Sequence, residues 1–222
     1  MKYHAIAIDG PAGAGKSTIA RLVASRLNAV YVDTGAMYRA MTIYMLRNNI
    51  DILNEKDVLK ASENVEISIA YENGQQQVFL NGENVTSLLR EEKVGAATST
   101  VSGYKFIREK LVDLQRKLSK TCDIVMDGRD IGTVVLPFAA LKIYLDASVE
   151  VRAARRYKEL SQKGISGDID IIKRDIEVRD VQDMTRKESP LKKADDAVEI
   201  DSSSLTINEV AEKIISLYEE RI

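Results

Sequence analysis

The sequence predicts an α/β fold, with a mainly parallel five-stranded sheet flanked by helices and a small antiparallel β insert. Short apolar runs alternate with stretches whose apolar residues recur at helical spacing, the pattern of strands joined by crossover helices. One segment instead alternates apolar and polar residues around two Asn-Gly pairs, which is typical of hairpins. The length of 222 residues suits one domain with a modest insertion.

Each of the first two strands is followed directly by a helix. Ala5 to Ile8 is an apolar run that stops at Asp9-Gly10, and Ala29 to Val32 stops at Asp33-Thr34-Gly35. The first helix carries its apolar residues at Ile19, Leu22, Val23 and Leu27. The second carries them at Met37, Ala40, Met41, Tyr44 and Met45. This repeated strand-helix order predicts parallel strands with ligands at their carboxyl ends.

Between Val65 and Val85 the hydrophobic period changes to that of β-strands. Asn73-Gly74 and Asn81-Gly82 each separate two short runs of strand-forming residues. Asn-Gly pairs favour tight hairpin turns because both residues tolerate a positive φ. We therefore predict a small antiparallel sheet inserted into the α/β pattern.

The second half of the chain returns to alternating helices and strands. Helical patterning runs from about Thr86 to Leu118, and buried-type strands follow at Asp123 to Met126 and Leu141 to Leu145. Two charged helical stretches come next, from Ser148 to Lys163 and from Asp168 to Lys187. The glycines between these two stretches predict a turn, and the pair resembles a mobile helical lid.

The chain ends in one more strand and one more helix. The last strand is predicted at Ala197 to Ile200. Thr206 and Glu209 have the spacing of a capping box, in which each side chain satisfies a backbone N–H at the start of a helix.

Composition excludes several classes of function. The 32 basic and 34 acidic residues give a net charge of −2, so no overall field favours nucleic acid. With one histidine and one cysteine, His4 and Cys122, the chain cannot form an internal disulfide or a zinc cluster of these residues. No apolar run is long enough to span a bilayer and no signal peptide is present, so we expect a cytoplasmic protein without a membrane partner.

A phosphate-binding loop lies between the first strand and the first helix. The motif G-x-x-x-x-G-K-S/T is matched by Gly10, Pro11, Ala12, Gly13, Ala14, Gly15, Lys16 and Ser17, with Thr18 next. Small residues let backbone N–H groups approach phosphate oxygens at the helix N-terminus. Lys16 would bind the β- and γ-phosphates of ATP, and the Ser17 hydroxyl would ligate Mg²⁺.

Asp127 is the candidate second magnesium ligand. It follows the apolar residues Ile124, Val125 and Met126, the setting of the Walker B carboxylate that holds Mg²⁺ directly or through water. The predicted cofactor is therefore Mg²⁺ bound with ATP as the phosphoryl donor.

The sequence disfavours a switch GTPase, because neither Asn-Lys-x-Asp nor Asp-x-x-Gly occurs. A phosphate acceptor is already largely ionised at pH 7 and needs arginines more than a general base. Two arginine-rich faces in the predicted lid supply them. Arg152, Arg155 and Arg156 have the spacing of one helical face, and Arg179, Asp183 and Arg186 have that of another.

Four segments together closely resemble the bacterial cytidylate kinases, which are P-loop nucleoside monophosphate kinases. They read GPAGAGKST from Gly10, DTGAMYR from Asp33, DGRDIGTVV from Asp127 and RDVQDMTR from Arg179. The resemblance runs nearly end to end and includes the antiparallel insert. It implies a P-loop NTPase fold and transfer of phosphate from ATP to CMP or dCMP.

The resemblance also implies an acceptor site for CMP. Its residues would be Thr34, Arg39, Ser99, Arg108, Arg129, Asp130, Arg179, Asp183 and Arg186. Arg39 and Arg129 would bind the CMP phosphate, while Asp183 and Arg179 would bind the ribose hydroxyls. Asp130, Ser99 and Arg108 suit cytosine, which presents an N4 donor beside N3 and O2 acceptors. Lys16, Arg129, Arg155 and Arg156 are the expected catalytic residues, and Arg152 is expected at ATP.

The resemblance divides the single domain into three regions. The core covers about 1–34, 104–148 and 188–222, the acceptor-binding region with its insert covers about 35–103, and the lid covers about 149–187. We expect a monomer.

Two alternatives to this function stay open. One is a P-loop kinase for another small acceptor, with Asp33 or Asp127 as base, and the other is a nucleotide-binding regulatory protein.

Overall fold

The structure is a computed structural model that describes residues 3–162 and 164–222. Its residues form two compact units, one made of Met1–Tyr31 with Cys122–Ile222 and the other of Val32–Thr121. The predicted end of the first lid helix at Lys163 lies outside the described residues. No described helix is long and apolar enough to cross a membrane.

Eight strands and eight α-helices occur among the described residues, together with two short helical turns. The first half contains β1 (Ala5–Asp9), α1 (Lys16–Arg26), β2 (Val30–Asp33), α2 (Thr34–Arg47), α3 (Glu55–Glu63), β3 (Ile67–Glu72), β4 (Gln75–Leu80), β5 (Glu83–Asn84), a 3₁₀ turn (Thr86–Leu88), α4 (Glu92–Val101) and α5 (Lys105–Leu118). The second half contains β6 (Ile124–Gly128), a π-helical turn (Ile131–Val135), β7 (Leu141–Asp146), α6 (Val149–Gln162), α7 (Ile169–Thr185), β8 (Val198–Asp201) and α8 (Ile207–Glu219).

The five-stranded sheet has the order β2-β6-β1-β7-β8. The pairings of β1 with β6, β1 with β7 and β7 with β8 are parallel. Ile8 of β1 lies opposite Asp127 of β6, and Asp9 lies opposite Gly128. The carboxyl ends of the two central strands therefore meet at one edge of the sheet, which is where such sheets bind ligands.

The core of the first unit lies between the sheet, α1 and α8. Ile8, Val125 and Ile143 are buried on the strands, and Val23 and Ile214 bury the apolar faces of the two helices against them. This burial supplies most of the free energy that fixes the strand order. The capping box predicted for Thr206 and Glu209 is present at the start of α8.

The helices α6 and α7 form a hairpin with a small core of its own. Ala153 packs against Ile172 and Ile176, with Val149 and Leu160 at its border. The two predicted charged helices thus pack together as a pair, while α7 also exposes the apolar side chains of Ile171, Val178 and Val181.

The second unit contains the insert as a three-stranded antiparallel sheet, β3-β4-β5. Both predicted Asn-Gly turns are present, since Asn73 and Gly74 have φ of 51° and 73°, and Asn81 and Gly82 have φ of 49° and 84°. Two consecutive residues with positive φ are the geometry of a tight hairpin turn. The predicted fold class, an α/β parallel sheet with a small antiparallel insert, is confirmed.

Three local features differ from what the sequence indicated. The helical pattern from Thr86 to Leu118 is present but divided, because the backbone is extended at Glu91, between the 3₁₀ turn and α4, and at Tyr104, between α4 and α5. Helix α3 was not predicted, although Asn54 caps it by accepting the N–H of Lys56.

The third difference concerns Arg186, which was expected on the same helical face as Arg179 and Asp183. Helix α7 ends at Thr185, and Arg186 has an extended backbone with φ −58° and ψ 143°. The Arg186 guanidinium donates instead to the carbonyl of Ser189, at 2.8 Å.

Candidate active site

The loop from Gly10 to Gly15 joins β1 to α1 in a conformation that requires glycine. Gly10 has φ of 150°, and a Cβ there would lie 1.9 Å from the carbonyl oxygen of Leu145. Gly13 and Gly15 have φ of 79° and 90°, which residues with side chains rarely adopt. The loop therefore leads into the N-terminus of α1 with its backbone close to neighbouring strands, as phosphate binding requires.

Lys16 lies buried at the first turn of α1, only 6% exposed. Its Nζ donates to the carbonyl oxygen of Pro11 at 2.7 Å, so the ammonium folds back over the loop. Burial and the positive charge of Arg129 lower the pKa of Lys16 to about 7, while Asp127 and Asp9 act in the opposite direction. The side chain is thus only partly charged at neutral pH, and an anionic ligand would stabilise its ammonium form.

Ser17 and Asp127 form the candidate magnesium site. The Ser17 hydroxyl donates to Asp127 Oδ2 at 2.9 Å, and the Tyr31 hydroxyl donates to Asp127 Oδ1 at 2.8 Å. Within residues 3–162 and 164–222, no group of three His, Cys, Asp or Glu residues could hold a metal by itself. One carboxylate beside one hydroxyl is nevertheless a donor set suited to Mg²⁺, which usually completes its shell with phosphate oxygens and water.

Asp9 is a site residue that sequence reasoning missed. Its two carboxylate oxygens accept the backbone N–H groups of Ile131 and Gly132, each at 2.7 Å. Burial raises the pKa of Asp9 to about 7, the charge of Asp130 adds to this, and the two N–H groups and Lys16 oppose it. The sequence feature that could have identified Asp9 is its position as a carboxylate at the end of an otherwise apolar strand.

Arg129 and Asp183 form an ion pair at the acceptor-side segment after β6. Arg129 Nε donates to Asp183 Oδ2 at 2.7 Å, with the two side chains 20% and 9% exposed. Burial disfavours the charge of Asp183, but Arg129, Arg179 and Arg186 outweigh it and hold the pKa of Asp183 below its usual value. The same attraction outweighs burial at Arg129 and raises its pKa.

Asp130 and Arg186 also come together, although they are far apart in sequence. Arg186 Nη2 lies 3.8 Å from Asp130 Oδ1, and the two side chains are 12% and 6% exposed. The structure thus gathers the predicted acceptor-side residues of the first unit around Asp183. They are Arg129, Asp130, Arg179, Asp183 and Arg186.

The three predicted lid arginines have different surroundings. Arg152 is buried and donates to the carbonyls of Ala12 and Ala147, at 3.0 and 2.9 Å, and to Asp180 at 2.5 Å. Its charge is therefore already paired, and it contacts the phosphate loop through the Ala12 backbone.

Arg155 reaches the loop as well, while Arg156 does not. Arg155 Nη1 donates to the carbonyl of Ala14 at 3.3 Å, and its Nη2 donates to the carbonyl of Ser202 at 2.7 Å. Arg156 is exposed and donates to Glu159 at 3.0 Å, one turn along the same helix. Helical spacing alone could not distinguish these three environments.

In the second unit, Thr34 and Arg39 lie at the beginning of α2. Asp33 caps this helix, its Oδ1 accepting the N–H of Ala36 at 3.0 Å. Thr34 is buried, and a Cβ on Gly35 would lie 3.4 Å from Arg39 Nη1. The Arg39 guanidinium therefore lies over the first turn of α2, where a helix N-terminus and a cation together favour an anion.

Ser99 and Arg108 lie on the successive helices α4 and α5. Ser99 is half-buried near the end of α4, and Arg108 is 4% exposed. The Arg108 guanidinium donates to the carbonyl of Ser102 at 3.3 Å and stacks over the ring of Tyr38 at 5.3 Å. The break between α4 and α5 thus brings Arg108 to the carboxyl end of α4.

Comparisons with known proteins identify relatives along the whole chain. The profile of the family named "Cytidylate kinase" matches residues 6–220. A cytidylate kinase from Alkaliphilus oremlandii is 52% identical over 217 residues, which cover 98% of this chain and 98% of that protein. A cytidylate kinase from Listeria monocytogenes is 53% identical over 222 residues, covering 100% of this chain and 98% of that protein.

Solved structures show a likeness in fold. An uncharacterized protein from Eubacterium ventriosum matches with a TM-score of 0.53 at 11% identity, and the match covers 100% of both chains. At this identity the likeness concerns the fold alone.

Proposed function

The chain belongs to the cytidylate kinase family of nucleoside monophosphate kinases, and on that premise we propose how its own residues carry out phosphoryl transfer. The reaction is transfer of the γ-phosphoryl group of ATP to the phosphate of CMP or dCMP, which gives ADP and CDP or dCDP. The observation that supports the residue assignment most strongly is the segment from Asp127 to Asp130. This segment contains Asp127, whose carboxylate accepts the hydroxyl proton of Ser17, and Arg129, which pairs with Asp183.

On the donor side, the loop from Gly10 to Thr18 binds the phosphates of ATP through its backbone N–H groups, which every residue except Pro11 has. Lys16 exchanges the Pro11 carbonyl for phosphate oxygens, which restores the full charge of its ammonium. Ser17 and Asp127 would hold Mg²⁺, and the bound ion would neutralise part of the negative charge of the ATP phosphates.

On the acceptor side, Arg39 and Arg129 bind the phosphate of CMP by charge-assisted hydrogen bonds. Asp183 and Arg179 bind the ribose hydroxyls. The remaining acceptor residues are Thr34, Ser99, Arg108, Asp130 and Arg186. Among these, Asp130, Ser99 and Arg108 have the acceptor and donor groups that the edge of cytosine requires.

The transfer is in line and uses no general base. The second pKa of a phosphate monoester is about 6, so the attacking oxygen of CMP is already largely ionised at pH 7. Lys16, Arg129, Arg155 and Arg156 stabilise the charge of the transferring group. Arg156 must leave Glu159 to take part, whereas Arg155 already lies against the loop.

The two carboxylates considered as bases for a hydroxyl acceptor are engaged elsewhere. Asp33 accepts the N–H of Ala36 as the cap of α2, and both oxygens of Asp127 accept hydroxyl protons. These contacts support the phosphate acceptor over a hydroxyl acceptor.

We further propose the division into core, acceptor-binding region and lid described from the sequence, and a cytoplasmic monomer.

The test is ADP release from Mg²⁺-ATP with CMP, dCMP, UMP, AMP, GMP or no acceptor. We expect rapid turnover with CMP and dCMP alone. Lys16→Ala should lower kcat at least about a hundredfold and leave CMP binding largely unchanged, because the lost cation acts on the transferring phosphoryl group. Equal activity of variant and wild type would exclude this mechanism. Turnover with UMP, AMP or GMP and none with CMP would exclude the acceptor assignment.

A further inference from the structure

The antiparallel insert has no chemistry assigned to it, yet one of its side chains holds a backbone segment of the acceptor side. Gln76 lies on β4, half-buried. Its Oε1 accepts the backbone N–H of Asp33 at 2.8 Å, and its Nε2 donates to the backbone carbonyl of the same residue at 3.2 Å. The primary amide therefore bonds both polar groups of one peptide residue.

This pairing reproduces the exchange of two hydrogen bonds that joins opposite residues in an antiparallel sheet. Asp33 is the last residue of β2, which lies at the edge of the five-stranded sheet, and its side chain caps α2. An edge residue lacks a neighbouring strand on one side, and Gln76 supplies the missing partner. The orientation of Asp33, and with it the start of α2, is thus restrained by the insert.

The restrained helix turn carries the residues that the proposed function assigns to the CMP phosphate. Thr34 follows Asp33 directly, and the Arg39 guanidinium lies over Gly35. A small rotation of this turn would move both groups together, because they are on the same turn and a half of helix. The insert is therefore placed to set the geometry of phosphate binding from outside the site.

A second contact joins the insert to the other end of α2. Arg47 forms a two-bond ion pair with Glu83 of β5, at 2.7 and 2.9 Å. Both side chains are largely exposed, 41% and 57%, so solvent screens this pair. The half-buried amide contact at Gln76 is the stronger restraint of the two.

We propose that Gln76 is a positioning residue for acceptor binding, through which the insert holds the N-terminus of α2 in the geometry that binds the phosphate of CMP. The proposal rests on the proposed role of Arg39. On this proposal the insert contributes to the reaction by orienting the N-terminus of α2, and it contacts neither nucleotide.

The experiment compares steady-state kinetics and thermal unfolding of Gln76→Ala, Gln76→Glu and Gln75→Ala. Gln75→Ala is the matched control, because the neighbouring glutamine is exposed on the same strand. Gln76→Glu keeps the size and one acceptor, but its carboxylate faces the Asp33 carbonyl without a donor. We expect both Gln76 variants to raise the KM for CMP about tenfold, in keeping with the loss of one or two hydrogen bonds. The KM for ATP should stay within the range of Gln75→Ala, and the fall in Tm that loss of these bonds causes should be accompanied by a rise in the KM for CMP alone.

Arg39→Ala, measured in parallel, separates this proposal from the proposed function. A rise in the KM for CMP in Arg39→Ala with none in the Gln76 variants overturns the positioning role alone. No rise in any of the three overturns the assignment of this helix turn to the CMP phosphate. Equal rises in both KM values with a lower Tm in the Gln76 variants would mean a general loss of structure, and would also overturn the positioning role.

Discussion

At Asp130 the side chain is both buried and charged, which is costly unless it has a partner. Arg186 lies 3.8 Å away in the folded chain, and the two form a weak ion pair. A ligand group that donates a hydrogen bond would therefore gain more from Asp130 than one that accepts. Cytosine donates from N4, whereas uracil accepts at O4 in the same position.

Asp130→Ala should consequently erode discrimination against UMP. We expect the ratio of kcat/KM for CMP to that for UMP to fall about tenfold or more, since losing one discriminating hydrogen bond costs about 1–3 kcal/mol. The measurement is kcat/KM for both nucleotides in wild type and variant. An unchanged ratio would remove Asp130 from the base-binding residues.

The titration of Asp9 makes the folded protein less stable as the pH rises. Its pKa is about 7 in the folded chain and 3.8 in the reference state, so the folded form binds a proton that the unfolded form releases. The stability contributed by that proton is complete below pH 3.8 and is lost as the pH rises to 7. The loss amounts to at most about 4 kcal/mol at 1.36 kcal/mol per unit of pKa shift.

Asp9→Asn removes this titration. We expect the free energy of unfolding of the variant, relative to wild type, to increase between pH 4 and pH 8. At low pH the variant should be the less stable protein, because its amide NH₂ replaces one of the two oxygens that accept backbone N–H groups and faces that donor with another donor. Denaturant unfolding at several pH values measures the difference, and parallel curves for the two proteins would contradict the assignment.

At the scale of elements, α6 and α7 are joined by two ion pairs of different burial. Arg152 and Asp180 are 5% and 10% exposed, and Arg152 also reaches the carbonyl of Ala12 in the phosphate loop. Lys173 and Glu150 join the same two helices at 36% and 65% exposure. Breaking a buried pair leaves an uncompensated charge, whereas an exposed pair is compensated by water.

Asp180→Ala should therefore destabilise the protein by about 3 kcal/mol or more. Glu150→Ala, the matched control on the same helix pair, should change stability far less, because water replaces the exposed ion pair. Chemical denaturation of both variants measures the difference. Equal effects would show that Arg152 is not held by Asp180 in solution.

At the scale of the whole molecule, the donor site is assembled by strand order. Ser17 and Asp127 are 110 residues apart in sequence, and they meet because β1 and β6 are neighbours in parallel register. The net charge of −2 contributes little to this arrangement, so the binding of nucleotide and metal depends on local groups.

Removal of Mg²⁺ by a chelator should stop turnover, and added Mg²⁺ should restore it. Ser17→Ala should raise the Mg²⁺ concentration needed for half-maximal activity, because the variant lacks one of the two proposed protein ligands. A magnesium titration of both proteins at fixed ATP is the measurement. The same half-maximal concentration in both would exclude Ser17 as a ligand.

The sequence by itself determined the order of elements and the motifs. The spacing of the apolar residues indicates which residues face the core. The phosphate loop and the Asn-Gly turns are local patterns that depend on neighbouring residues only. From these local patterns the parallel sheet, the antiparallel insert and the capping box of α8 are predicted. Lys16 and Ser17 are predicted as residues of the phosphate loop. The resemblance to the cytidylate kinases is borne out by relatives along nearly the whole chain.

Only the tertiary structure decided which distant groups meet. The carboxylate of Asp9 on the amides of Ile131 and Gly132, and the amide of Gln76 on Asp33, join residues 122, 123 and 43 positions apart. Helical spacing placed Arg152, Arg155 and Arg156 on one face but could not show that the first is buried against Asp180 and the last is exposed. The physical reason is that burial and pairing depend on the neighbours that packing brings together, whereas periodicity records only the direction in which a side chain points.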